Sequence, residues 1–445
     1  MAEKVEFYRE TEFKDTEIGR IPKEWEVKKI SGLFDVKEGK TPSTKVSEYW
    51  ENGSIVWIRP DDIRQLFGHL YINNSSKKIT IEALTEEKLP LVHPFSIILS
   101  SRASIGYVAI NLVNASINQD CSALIPKSSD KVVPEFFAYF LVSIRGRLEG
   151  LGKGTGVRGL TIKIIEDLPV PLPPSEEQQK IAEILSTVDE AIQKTDDTIA
   201  KTERLKKGLM QELLTKGIGH KEFKDTEIGK IPKEWEVRTL GEIGELSRGL
   251  SYRGQEKFSE EVTGGYLFLT LNSIKEGGGL KEDGWSWIRT DRLRERHFVR
   301  EGDIVVANTD LGMQRGHILG APALVHFPSW YKKDVAAYSM DLSKLQLNTN
   351  TNLHNQFLFY YLSHVQPLAR NYQSGTNVWH LNLDAWSNEL LIPIPPLPEQ
   401  QKIAEILSNV DEKLETLRRE KTKLERIKQW FMEELLTGSI RVRVA

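Results

Sequence analysis

The sequence predicts a tandem duplication in which two mixed α/β segments alternate with two long helices. Three observations predict it. The text EFKDTEIGRIPKEWEV at Glu12 to Val27 returns as EFKDTEIGKIPKEWEV at Glu222 to Val237, differing only at Arg20 and Lys230. The text QQKIAEILSTVDE at Gln178 to Glu190 returns as QQKIAEILSNVDE at Gln400 to Glu412. Between these blocks the letters do not repeat, although their layout does. The first block recurs after 210 residues and the second after 222, so the second interior carries about twelve extra residues.

The elements follow in order. After the first repeated block, the runs SIVWI, FSIILSS, YVAI and SALIP are rich in β-formers and are separated by Gly, Pro and Asn, which reads as short strands joined by turns. The stretch PEFFAYFLVSIRGRLEGL then reads as helix. Next comes LPVPLPPSEEQQ. Pro173 and Pro174 cannot sit inside a helix but suit its entry, and Glu176 and Glu177 place carboxylates where a helix N-terminus is positive. A long helix starts here, with apolar residues at Ile181, Leu185, Val188, Ile192 and Ile199 and then, after a one-residue slip, at Leu205, Leu209 and Leu213. Gly217 suits its left-handed end.

The second interior repeats this plan with YLFLTL, DIVVANT and PALVHF as strands and NQFLFYYLSHVQPLAR as the helix before the Pro-rich entry. Pro395, Pro396, Pro398 and Glu399 open the second long helix. Its apolar residues are Ile403, Leu407, Val410, Leu414, Leu417 and Leu424, then Ile427, Phe431 and Leu435, and it ends near Gly438. At about 1.5 Å per residue, each helix of about forty residues is a rod of roughly 60 Å. Narrow seams with charged flanks suit packing of one rod on the other. Their relative direction is left open by the pattern; a pseudo-twofold would make them antiparallel and put the interiors at opposite ends.

Composition sets the remaining limits. A chain of 445 residues suggests roughly three domains. The net charge of −3 argues neither for nor against nucleic acid, because a phosphate backbone responds to a local basic stripe rather than to the sum. No apolar run of about eighteen residues is present, and MAEKVEFYRE is too charged for a secretory signal. The lone Cys121 can neither close an intrachain disulfide nor furnish a structural zinc site. A cytoplasmic protein is expected.

Most searches for chemistry end without a site. Pro60-Asp61 followed by Glu86-Glu87-Lys88 has the letters of a metal-dependent nuclease, but the second unit has no counterpart. EGKT at Glu38 to Thr41 resembles the end of a phosphate-binding loop, yet Phe34 stands where that motif needs its first glycine. Neither an Asn-Pro-Pro or Asp-Pro-Pro followed by an aromatic nor a GxGxxG after a strand occurs, so a methyl-transfer site has no support. His297, His317, His326 and His380 lack the carboxylate or cysteine companions of a metal ligand set.

What remains is a binding surface. In the first interior, loops that break the strands carry Lys40, Thr41 and Ser43, then Arg59, then Ser101 and Arg102, then Asn118 and Gln119, and finally Lys153, Thr155 and Arg158. The second offers Arg248, Tyr252, Arg253, Asn272, Asn308, Thr309, Gln314 and Arg315, then Thr376, Asn377, Trp379 and His380. Arg forks onto guanine, Asn and Gln pair with adenine, and Lys, Ser, Thr and glycine-loop amides take phosphates. SWIRTDRLRERHFVR adds a cationic cluster, whose plainer reading is an amphipathic surface helix.

These residues match a known family. GKTPS with EYWENGSIVWIRPDDI, SSRASIGYVAI, INQDCSALIP, GTGVRGLT and the twice-occurring PLPP…EQQKIAEIL entry make the chain resemble, over essentially its whole length, the DNA-specificity (S) subunit of type I restriction-modification systems. The second interior departs from the first at most of these loops, with VANTDLGMQRGHILG standing where the first has LSSRASIGYVAI. The resemblance implies an α/β (α+β) fold: two mixed α/β target-recognition domains separated by two long antiparallel coiled-coil helices, as a pseudo-twofold tandem duplication. Residues 1–173 would be the first recognition domain and 174–217 the first spacer helix. Residues 218–394 would be the second domain, and 395–445 the second helix with its tail. It further implies that each domain reads one half of a bipartite duplex DNA target and that the chain is not itself an enzyme. The implied partners are two adenine methyltransferase subunits and restriction/translocase subunits. No cofactor is expected in this chain; methyl donor, ATP and magnesium would be used by the partners. A coiled-coil scaffold that binds no DNA, and a metal-dependent nuclease, are the competing readings.

Overall fold

The computed structural model describes residues 6–66, 68–154, 158–310 and 318–443. Two compact units form, Met1–Asp197 together with Arg418–Ala445, and Thr198–Leu417. The long helices are Ser175–Lys216 and Leu397–Leu435, so each gives its first half to one unit and its second half to the other. No helix among the described residues is long and apolar enough to cross a membrane.

In the first unit the strands Phe34–Glu38, Cys121–Pro126, Ile97–Ser100, Val108–Asn111 and Tyr71–Ile72 make one sheet in that order, antiparallel except for its last pair. Ala115–Ile117, Ile55–Ile58 and Lys78–Ile79 make a second. The central strands Ile97–Ser100 and Val108–Asn111 are buried at every residue, which is why their sequence runs apolar without alternating. The second unit repeats the plan. Gly244–Arg248, Leu342–Leu347, Ile304–Ala307 and Pro322–Leu324 form one sheet. In the other, Ala336–Tyr338, Tyr266–Leu269 and Ser286–Ile288 are flanked by Phe298–Val299 and Lys257–Phe258.

Two expectations change here. The helix expected over 134–151 breaks at Ile144 into Pro134–Ser143 and Arg145–Leu151. Its counterpart ends at Val365, where Pro367 lacks an N–H to donate and the chain tightens into a 3-10 turn. SWIRTDRLRERHFVR is not a helix: strand Ser286–Ile288 leads through a turn to Glu295–His297 and strand Phe298–Val299. Its arginines are tied down locally, with Arg292 on Glu256 and Arg294 on the Asp291 and Leu293 carbonyls.

The repeated letters are explained by a repeated set of grips on the long helices. Gln178 is fully buried; its carbonyl accepts from Val133 N at 3.0 Å and its amide donates to the carbonyls of Lys131 and Pro173 at 3.1 and 2.8 Å. Gln400 does the same with His354 N, Asn352 O and Pro395 O at 2.8, 3.0 and 2.8 Å. Trp25 and Trp235, both at 0 % exposure, donate their indole N–H at 3.0 Å to Glu177 and Glu399 respectively. Gly217 and Gly438 end the helices at φ of 67° and 72°, and a Cβ on either would run into the tryptophan or proline beside it.

Within each unit the helix halves run antiparallel. In the first, Asp189 meets Lys428 at 2.5 Å and Asp196 meets Lys421 at 2.7 Å, so residue numbers rise on one helix as they fall on the other. In the second, Asp411 meets Lys206 at 2.6 Å. Asp189 also accepts from the Tyr139 hydroxyl at 2.7 Å, and Asp411 from Tyr360 at 2.8 Å. Burial, followed by the adjacent aspartate, pushes both phenols up. Of the expected seam, Ile181, Leu185, Ile192, Ile403, Leu407, Leu414 and Leu417 are buried, and Val188, Ile199, Val410 and Leu424 are half-buried. Leu205 and Ile427 are not on the seam, at 56 % and 43 % exposure. The helices contain no slip: Thr202 and Lys206, and likewise Lys421 and Lys428, hold the seam positions with polar letters, leaving the nearby apolar residues outside.

Candidate nucleic-acid interface

In the first unit, backbone hydrogen bonds knot the candidate loops into one cluster. Asn118 N donates to Ile58 O beside Arg59, and Lys40 N to Ile117 O, both at 3.0 Å. Ser101 N and Arg102 N donate to Asp120 O at 2.8 and 3.1 Å, and Leu160 N to Ser101 O at 2.7 Å. Lys153 and Arg102 each bridge to Gly159. Segments far apart in sequence thus present one surface, as direct readout of a groove requires.

The side chains there divide into two groups. Lys40, Gln119, Lys153 and Arg158 are exposed, and Arg102 is half-buried. Lys40 leans on Glu87 at 2.7 Å and Arg102 on Glu38 at 2.6 Å; such solvent-facing pairs are weak, so a phosphate or base edge can replace the carboxylate. Thr41 contacts Gln119, and Ser43 is half-buried. Arg59 donates to Ser76 Oγ at 2.6 Å and lies against Asp62. Ser101 and Asn118 are buried, and their polar atoms are engaged by Asp120 and Ser122, so they shape the loop from inside. Thr155 lies outside the described residues.

The second unit builds its cluster on the same knots. Leu250 N donates to Tyr338 O, Leu381 N to Asn308 O and Ser339 N to Leu269 O. Arg248, Arg253, Asn272, Thr376, Asn377 and His380 are exposed, while Tyr252 and Trp379 are half-buried. Tyr252 lies edge-on to Phe268 at 5.0 Å. Thr376 and Asn377 occupy the turn between strands Gln373–Ser374 and Trp379–Leu381. Asn308 and Thr309 are buried: Asn308 donates to Met340 O and Ser343 Oγ and accepts from Thr309. Gln314 and Arg315 lie outside the described residues. Beside this cluster Arg292 holds the Glu256 carboxyl down to about 2.

The nuclease letters do not come together. Asp61 faces Arg64, Glu86 accepts from the Tyr49 hydroxyl and Glu87 from Lys40. No group of His, Cys, Asp and Glu among the described residues is arranged to hold a metal ion.

The family model for the type I restriction modification DNA specificity domain matches residues 22–204 and again 232–426. The chain belongs to this family. Two relatives from Methanocaldococcus jannaschii span nearly all of it. The type I restriction enzyme MjaIX specificity subunit is 29 % identical, over 98 % of this chain and 98 % of its own. The MjaVIII specificity subunit is 28 % identical, over 99 % and 98 %. Among solved structures, a type I restriction-modification S subunit from M. genitalium covers 92 % of this chain and 96 % of that one, with a TM-score of 0.55 at 18 % identity. A chain solved in work on the assembly and conformational transition of the type I R-M system covers 94 % and 99 %, with 0.54 at 16 %. Both likenesses are of the fold over nearly the whole chain.

Sequence reasoning passed over Arg64, Tyr107 and Arg145, which line a pocket bordering the first cluster with Ser104 and Arg158. The available signal was Gly106 immediately before an aromatic residue at a strand start; nothing in the letters tied Arg145 to it.

Proposed function

We propose that this chain is the DNA-specificity subunit of a type I restriction-modification complex, in which each α/β unit reads one half of a bipartite duplex sequence through its loop cluster. The observation that carries this reading is the contrast between scaffold and loops. The grips of Gln178 and Gln400, Trp25 and Trp235, and Tyr139 and Tyr360 repeat bond for bond. The loop clusters rest on matching backbone knots yet carry different letters, as two readers of unlike half-sites would. In this reading the long helices are the spacer, and the repeated surfaces each dock one adenine methyltransferase subunit, since two like faces suit two copies of one partner. Restriction/translocase subunits complete the complex. Methyl donor, ATP and magnesium serve those partners, this chain is not catalytic, and the work is done in the cytoplasm where the DNA lies.

The test is an exchange of Lys28 to Leu168 for the same segment of another family member, with methylated adenines then mapped across the host genome. One half of the methylated sequence should change and the other persist. A change in both halves, or the absence of sequence-specific methylation with the wild-type chain, defeats the reading, the second result favouring a scaffold that binds no DNA.

A further inference from the structure

A pocket of about 680 Å³ opens in the first unit beside its loop cluster, lined by Arg64, Ser104, Tyr107, Arg145, Glu149 and Arg158. The Arg145 guanidinium lies 3.8 Å from the centroid of the Tyr107 ring, and that of Arg64 lies 6.0 Å from it. The carboxylates present are Glu149, 2.9 Å from Arg145, and Asp61, 3.5 Å from Arg64. Arg158 is exposed and pairs with no carboxylate among the described residues, so the pocket keeps a positive balance.

Among the described residues of the second unit the matching turn is built differently. Gly106 stands two residues before strand Val108–Asn111 at φ +86°, and a Cβ there would lie 2.7 Å from Arg145 Cγ. Gly320 stands two residues before strand Pro322–Leu324 at φ +73°, and there the neighbour is the Cβ of Ala369. The residue after each glycine is Tyr107 in one unit and the buried Ala321 in the other. The second unit therefore sets Ala321 and Ala369 beside this turn, where the first has Tyr107 and Arg145. The first unit also holds Ala103 in the left-handed region, at φ +59°, in the wall of the same pocket, and unfavourable backbone of that kind is a mark of functional sites.

A guanidinium held over an aromatic ring is restrained in direction and weakly hydrated, which suits it to forked hydrogen bonds with a phosphate. One ring face of Tyr107 is already covered by Arg145, so a nucleobase cannot stack there. The wall is continuous with the loop that carries Arg102 and, through Arg158, with the Lys153–Gly159 bridge. We propose that Arg64, Arg145 and Arg158 grip one backbone phosphate of the DNA strand beside the first half-site, a grip with no counterpart among the described residues of the second unit. The site rests on the DNA-specificity reading and refines it: it sets register and carries no sequence information.

The experiment uses the full chain in complex with its methyltransferase partner and duplexes carrying the mapped target, each with a single phosphate replaced by a neutral methylphosphonate. One linkage beside the first half-site should weaken the wild type about tenfold and leave Arg145→Ala unaffected. Arg145→Ala should flatten the salt slope by about one, with the methylated sequence unchanged. Arg64→Ala, on the exposed rim, should act alike and guards against misfolding of the first variant. A flat scan, a sensitive linkage in the second half-site, or a relaxed base preference in Arg145→Ala overturns the proposal. So does saturable, Arg145-dependent binding of inorganic phosphate at fixed ionic strength if all linkages affect wild type and variant alike, since the pocket would then hold a free anion. If exchange of residues 28–168 still swaps one half-site while the scan is flat, only the pocket assignment is wrong; if the wild type has no target, both fall.

Discussion

Glu177 and Glu399 occupy the same place in the two units, and each accepts a hydrogen bond from the indole of its tryptophan, but different groups complete their coordination. In the second unit the long helix passes through Gly217 straight into the hairpin Phe223–Pro232, and Glu399 is met by Ile218 N at 2.9 Å and His220 Nε2 at 2.8 Å. In the first, the helix passes through Gly438 into strand Ile440–Arg443, which pairs with Glu6–Arg9. Arg441, at 4 % exposure, meets Glu177 at 2.6 Å, Glu10 at 2.7 Å and Glu24 at 3.2 Å. Burial is the strongest single influence and opposes its charge, but Glu177 and Glu10 together with Tyr8 outweigh it and hold the guanidinium more firmly protonated than usual. Where the second unit relies on a covalent connection, the first relies on a strand pair and a buried ion cluster. The same scaffold is thus fastened with different sensitivity to substitution.

The largest effect that could break this comparison is expected at Arg441. Arg441→Ala leaves Glu177 buried beside Trp25 without its cation and should cost about 3–5 kcal/mol. His220→Ala leaves Glu399 with the Ile218 and Trp235 donors and should cost about 1–3 kcal/mol. Hydrogen exchange followed segment by segment is the measurement: Arg441→Ala should deprotect Trp25 and its neighbours while strand Ile304–Ala307 stays protected. Equal deprotection of both units would show that the two closures are equivalent.

An intermediate effect sharpens the part that is alike. Tyr139→Phe and Tyr360→Phe each remove one hydrogen bond to a charged aspartate and should cost about 1.5–3 kcal/mol apiece by denaturant titration. Because the lysines remain on Asp189 and Asp411, the two losses should agree. A twofold disparity would mean that the helix halves are held unequally.

The smallest expected effect is of pH. His297 is held below its usual value of 6.5 by burial and then by Arg296, Arg294 and Arg292, and His364 by burial; both belong to the second unit. A histidine depressed in the folded state takes up its proton more readily when unfolded, so its stabilising neutrality is intact above the unfolded value and is lost as pH falls through it. Between about pH 7.5 and about pH 5.5 the second unit should lose exchange protection, and His364→Gln should reduce that loss. A loss confined to the first unit would contradict these assignments.

The long helices and their entries were legible because period and proline placement are local properties, and the strands because fully buried ones run apolar. The seam was misplaced at Leu205 and Ile427 because Lys206, Lys421 and Lys428 look like surface charge in the sequence, yet they sit on the seam opposite aspartates of the other helix. The candidate interface was legible as loops and less so as side chains. Asn118 and Asn308 carry the letters of base readers, but the turns they stabilise use those same polar atoms. Arg64, Tyr107 and Arg145 could not be found together, since only folding brings three separate segments to one pocket.

The strand pair Glu6–Arg9 with Ile440–Arg443 also fixes an order of events at the ribosome. The first unit's text is translated first, but Met432, Leu435, Leu436 and Val442 belong to its apolar core, so it cannot close until they emerge. Every residue of the second unit, Thr198–Leu417, is made in the meantime. At roughly 5–20 residues per second, the nascent first unit waits on the order of ten to forty seconds with Trp25 and Ile181 lacking their final cover. The half synthesised first is the half sealed last, and during that interval it is the part of the nascent chain most in need of a chaperone.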